Sequence, residues 1–64
     1  MERHFEIWGG LDENGASDEF METVIGPYFS ALGEAIALTK HFHGQGYYAY
    51  IRDMDNNGDV VIFI

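Results

Sequence analysis

The chain predicts a small α+β fold, a single ββαββ domain in which one helix covers one face of an antiparallel sheet. Three observations carry that reading. Residues 3–8 alternate as a strand does, residues 31–42 hold an apolar stripe at helical spacing, and Asn57-Gly58 lies between two β-rich runs near the C-terminus.

In Arg3-His-Phe-Glu-Ile-Trp8, Phe5 and Ile7 fall on one face, and Gly9-Gly10 is expected to end the strand. Residues 9–18 hold three glycines, Asn14 and three acids, which reads as an exposed loop turning around Asn14-Gly15. Residues 19–25 are ambiguous. Asp18-Glu19 could start a helix, but Gly26-Pro27 would stop it after two turns. The β-branched run Thr23-Val24-Ile25 fits better as a strand pairing back on residues 3–8.

The helix is expected over 31–42, with Ser30 as N-cap and Leu32, Ala35, Ile36, Thr39 and Phe42 forming its apolar stripe. Lys40, His41 and His43 crowd the last turn, where the helix dipole favours cations, and Gly44 is placed as the C′ residue. Gly33 weakens the first turn, which points to close packing there or to simple tolerance. A hairpin follows over 47–64: Tyr47–Asp53, a turn at Asp55-Asn56-Asn57-Gly58, then Asp59–Ile64. Loops of two or four residues both put Ala49 and Ile51 on one side with Val60, Ile62 and Ile64, packed on the helix. The opposite side then shows Tyr48, Tyr50, Arg52, Val61 and Phe63.

Composition bounds the function. The 64 residues carry 11 acids against three Lys and Arg, a formal net charge of −8. A field of that sign repels nucleic acid and anionic membranes and attracts basic protein surfaces. A chain this short buries only about 60% of its unfolded surface, so its stability is expected at roughly 3–10 kcal/mol. With no cysteine there is neither a disulfide nor a thiolate metal site, which fits a reducing cytoplasm. No signal-peptide pattern is expected, since Glu2, Arg3, His4 and Glu6 stand among the first eight residues. The apolar run Val60–Ile64 is far short of a bilayer span. A hydrophobic fraction of 47% is too high for a disordered acidic tail. The reading is a cytoplasmic protein that folds.

No constellation of chemistry stands out. Asp53-Met-Asp55-Asn-Asn57-Gly58-Asp59-Val60 resembles the start of an EF-hand calcium loop, but Ile64 takes the place of the bidentate Glu, and the flanks read as strands. A polar hairpin turn explains those residues, with weak calcium binding as an alternative. His41 and His43, two apart, point in different directions on a helix, and His4 adds no recognisable ligand spacing. Ser17 and Ser30 have no base placed beside them, and no Gly-rich phosphate loop opens a helix. The expectation is a non-enzyme with no cofactor and no metal.

Two features are left for recognition. Asp12, Glu13, Asp18, Glu19 and Glu22 put five acids in eleven residues without a base, and Asp53, Asp55 and Asp59 form a second cluster. Such a density crudely matches the phosphates of B-DNA, which carries about one charge per 1.7 Å of axis. The bland reading is a solvated surface that keeps a small apolar protein soluble. The aromatic set Trp8, Tyr28, Phe29, Tyr47, Tyr48, Tyr50 and Phe63 exceeds what one small core absorbs, so Tyr48, Tyr50 and Phe63 are candidates for partner contact. RNA-binding sheets also show aromatics but pair them with Lys and Arg, of which this chain has few.

In size, acidity, lack of cysteine and lack of motif, the whole chain resembles the small anti-defence proteins of phages, including the anti-CRISPR proteins. The resemblance implies an inhibitor that mimics nucleic acid and fills a cationic groove of a nucleic-acid-binding protein in the host cytoplasm. The alternatives are a self-associating structural or adaptor module, using the aromatic face or the last strand, and a calcium-responsive module.

Overall fold

The computed structural model describes residues 2–11 and 18–61. Strands β1 (Glu2–Gly10) and β2 (Glu19–Pro27) are followed by helix α1 (Tyr28–Gly44), then by strands β3 (Tyr48–Asp53) and β4 (Asp59–Val61). The four strands form one antiparallel sheet in the order β2-β1-β3-β4, so the helix connects an edge strand to the far side of the central β1. This is the expected ββαββ fold with its C-terminal hairpin. The β-branched run of residues 19–25 is a strand, with Phe5 opposite Val24 and Glu6 opposite Thr23. No described helix is long and apolar enough to cross a membrane.

The core is one layer between sheet and helix. Phe5, Ile7, Val24 and Ile51 from the sheet are each no more than 3% exposed and cluster with Ala31 and Ala35 of α1, and Thr39 of the same helix is buried as well. Burial of each large side chain stabilises the fold by about 1.5–3 kcal/mol. The three helical residues recur every fourth position and form one line along the axis. They are small, so the helix backbone sits close to the bulky sheet residues. The expected stripe is therefore corrected at its centre: Ala31, Ala35 and Thr39 face the sheet directly, while Leu32, Ile36, Leu38 and Phe42 flank them half-buried. The Thr39 hydroxyl donates back to the Ala35 carbonyl at 2.8 Å, which removes the cost of burying it.

Four local expectations are corrected. Gly9-Gly10 does not end β1, which runs through both residues. A Cβ at Gly9 would lie 2.1 Å from the Tyr48 carbonyl oxygen and 2.9 Å from Ala49 Cα, so glycine is what lets β3 approach. The helix runs from Tyr28 to Gly44 rather than over 31–42. Pro27 is the N-cap, and Ser30 lies inside the first turn without a side-chain cap bond. Proline's fixed φ and missing amide suit the junction between an edge strand and a helix start. Gly44 is the last helical residue instead of C′; the end is closed by Gln45 and Tyr47 amides donating to the Phe42 carbonyl, and Gly46 takes the positive φ. Nothing lies within 4 Å of a Cβ at Gly33, which leaves tolerance rather than close packing.

The fourth correction is the facing of β4. Asp53 pairs with Asp59, so the connection is the five residues 54–58, a 3-10 turn at Met54–Asn56 followed by Asn57 and Gly58 at φ 60 and 74. An odd loop length reverses the side-chain alternation expected for two or four residues. Val61, opposite Ile51, is half-buried against the core, and Val60, opposite Arg52, is 55% exposed on the other face. The facing expected for Ile62, Phe63 and Ile64 falls outside the described residues, as does the turn at Asn14-Gly15.

Candidate interaction surface

The helix lies on the Phe5, Ile7 and Ile51 side, which leaves the reverse of the sheet without a covering layer among the described residues. Trp8 stands at its centre, opposite Tyr50 of β3 and Phe20 of β2. Its ring meets Phe20 edge-on at 6.0 Å, and the Arg52 guanidinium lies over it at 5.2 Å. The indole N–H donates to Glu6 Oε1 at 2.9 Å, which fixes the ring plane. Phe20, Ile25 and Val60 complete the apolar part of this face, each more than half exposed.

Tyr48 and Tyr50 belong to the face, as their alternation with Ala49 and Ile51 predicts. The Tyr50 phenol donates to Asp18 Oδ2 at 2.7 Å. That bond, then burial and the carboxylate charge, push the Tyr50 phenol above its usual value, with Arg52 opposing. Trp8, Phe20, Ile25 and Val60 are the face residues that sequence reasoning did not single out as contact residues. The period-two pattern of β1 places Trp8 opposite to Phe5 and Ile7. The β2 residues were hidden by a bulge, which pairs Ile7 with Glu22 but Trp8 with Phe20.

The acidic candidates separate into two kinds. Asp53 and Asp55 bind Arg3, whose Nη2 lies 2.6 Å from Asp53 Oδ2 and whose Nε lies 3.3 Å from Asp55 Oδ2. Asp55 Oδ2 also accepts the His4 amide at 2.7 Å, where β1 runs past the end of β3. Asp53 Oδ1 accepts the Asp55 amide at 3.1 Å, and Asp59 accepts from Asn56 Nδ2 at 3.3 Å. These three carboxylates hold the hairpin loop and the start of β1, and the guanidinium sits between the pair that the calcium reading would use. Among the described residues no group of three His, Cys, Asp or Glu side chains is placed to hold a metal ion. Glu19 and Glu22 are different, being exposed on the outer strand β2, and Asp18 precedes them. Asp12, Glu13 and Phe63 lie outside the described residues.

The free side of β2 has a defined backbone. The Thr23 amide donates to the Glu22 carboxylate at 3.1 Å and so points away from β1. By alternation the Ile25 amide points the same way, and the next outward position is Pro27, which has no amide to offer.

Comparison with protein-family models, with curated proteins and with solved structures returned no match to this chain.

Proposed function

We propose that this chain is a non-enzymatic binding protein that docks on a basic protein surface and blocks it. The observation that carries the reading is the internal use of its arginines. Arg3 is held by Asp53, Asp55 and the Tyr28 ring, and Arg52 by Trp8 and the Gly58 carbonyl. Lys40, on the exposed side of the helix, makes no ion pair among the described residues. Among the described residues Glu19 and Glu22 stay on the outside, beside the exposed Phe20 and the half-buried Trp8. Charge of this kind steers association, and desolvated aromatics slow dissociation. A cationic groove built for nucleic acid is the partner class that fits the sign, in keeping with the resemblance to phage anti-defence inhibitors.

The test is recovery of partners from a host lysate at low and high salt, with a variant carrying Asp12→Asn, Glu13→Gln, Asp18→Asn, Glu19→Gln and Glu22→Gln. The expected partner is a nucleic-acid-binding protein whose retention drops steeply as the Debye length shrinks from about 30 Å at 0.01 M to 3 Å at 1 M salt. The folded variant should lose it. Salt-insensitive retention, or a variant that performs undiminished, overturns the reading. A second reading, self-association through the open face, is favoured by the exposure of Phe20, Ile25 and Val60. A strict monomer across a wide concentration range in sedimentation excludes it.

A further inference from the structure

We infer that the free edge of β2 receives an extended basic segment of the partner, which adds to the sheet as a fifth strand. The inference rests on the basic-surface reading and specifies its site. β2 is nine residues long, an edge strand that pairs only with β1 among the described residues, and carries exposed Phe20, Thr23 and Ile25. Edge strands of this length are ordinarily shielded by covering elements, bulges or inward charges, because their unpaired amides and carbonyls are a template for another strand. Here the shielding spares the middle of the strand: the bulge between Phe20 and Glu22 bends only its start. The Glu22 carboxylate sits on the Thr23 amide, and Pro27 closes one end.

The same residues choose the occupant. An incoming strand displaces Glu22 from the Thr23 amide and leaves that carboxylate beside the new strand, where a Lys or Arg neutralises it. Glu19 offers a second carboxylate at the start of β2. Side chains directed to the open face meet Phe20 and Ile25, so the fitting sequence alternates basic with β-branched apolar residues. A second copy of this chain is the wrong occupant. Antiparallel self-pairing about Thr23 brings two Glu22 carboxylates close to the symmetry axis, between chains that each carry −8.

The probe is a peptide of about seven alternating lysines and valines, long enough at about 3.3 Å per residue to span the middle of β2. It is titrated into the full chain and followed by backbone amide NMR. Shifts should concentrate at Thr23 and Ile25. N-methylation of the peptide amides that would face β2 should weaken binding by about tenfold or more, since each lost hydrogen bond costs up to about tenfold. Ile25→Pro, which removes an outward amide and leaves the β1 ladder its donors, should weaken binding similarly. Should that variant not fold, the N-methylated peptide decides.

Equal binding of the N-methylated peptide, or shifts confined to other elements, overturns strand addition. Equal binding of a lysine–glycine peptide also overturns it, while leaving the attraction to basic surfaces standing. Binding of no peptide overturns the site, and the basic-surface reading is then judged by its own salt test. Concentration-dependent shifts at Thr23 and Ile25 without peptide assign the edge to a second copy and overturn the basic occupant.

Discussion

The Tyr50 hydroxyl donates to Asp18 Oδ2 across 2.7 Å, joining the residue that precedes β2 to the middle of β3, with β1 between them. The bond ties one of the acidic candidates to the aromatic face. It also makes Tyr50 a titratable reporter of that face.

Tyr50 ionises above the usual phenol value because its neutral form donates to Asp18, because burial disfavours the phenolate, and because the Asp18 charge repels it; Arg52 opposes these effects. A group whose folded pKa is raised adds stability that is fully present below the unfolded value, about 10 for tyrosine, and is lost as pH climbs through the folded value. Stability should therefore fall in alkali above about pH 10. Asp18→Asn should bring the Tyr50 midpoint down. NMR of carbon-labelled tyrosine, read at the ring carbon bearing the hydroxyl, follows it directly; an unmoved midpoint counts against the contact.

Gly9→Ala should be among the most damaging single substitutions. The added methyl would meet backbone atoms of Tyr48 and Ala49, which cannot rotate away as a side chain can. Separation of β3 from β1 is the expected response, at a cost of about 3 kcal/mol or more. For so small a domain that is a large share of the total, and urea denaturation should show a strongly reduced midpoint.

Arg3→Met should cost about 1–2 kcal/mol, the loss of one guanidinium shared by two carboxylates and stacked on the Tyr28 ring at 5.0 Å. The figure is held low because Arg3 remains 27% exposed and is partly screened. High salt should narrow the gap between variant and parent. With Arg3 in place, added calcium should leave the melting temperature unmoved, and a clear rise would revive the calcium alternative.

Ala35→Leu tests the helix–sheet distance. Ala35 is fully buried, in line with Ala31 and Thr39, and faces Phe5, Ile7 and Ile51 across the core. Three extra carbons there should cost about 1–3 kcal/mol by overpacking. Ala37→Leu, at an exposed position of the same helix, should change stability by less than about 0.5 kcal/mol. Thermal melts of the two variants compared with the parent are the measurement.

The order of elements was legible because each rests on short-range chemistry. Phe5 and Ile7 alternate, Thr23-Val24-Ile25 is β-branched, and Asn57-Gly58 favours left-handed backbone. The site was legible only in part. Tyr48 and Tyr50 followed from the alternation of β3, but the division of labour among the acids did not. Whether Asp53 and Asp55 face outward depends on Arg3, fifty residues away in sequence, and no local pattern encodes that meeting.

By itself the sequence determined the sign and size of the surface charge, the ββαββ order, and which residues of β1 and β3 point together, since composition and period-two alternation are properties of the chain alone. Tertiary structure decided the rest. It set the register of β4 through a loop of odd length, put the small line Ala31, Ala35 and Thr39 at the centre of the helix contact, and extended β1 through Gly9-Gly10. It also locked Arg3 between Asp53 and Asp55 while leaving Glu19 and Glu22 exposed along β2. Each of these is a contact between segments distant in the chain. Its outcome depends on how closely two backbones approach and on which charges the fold brings together.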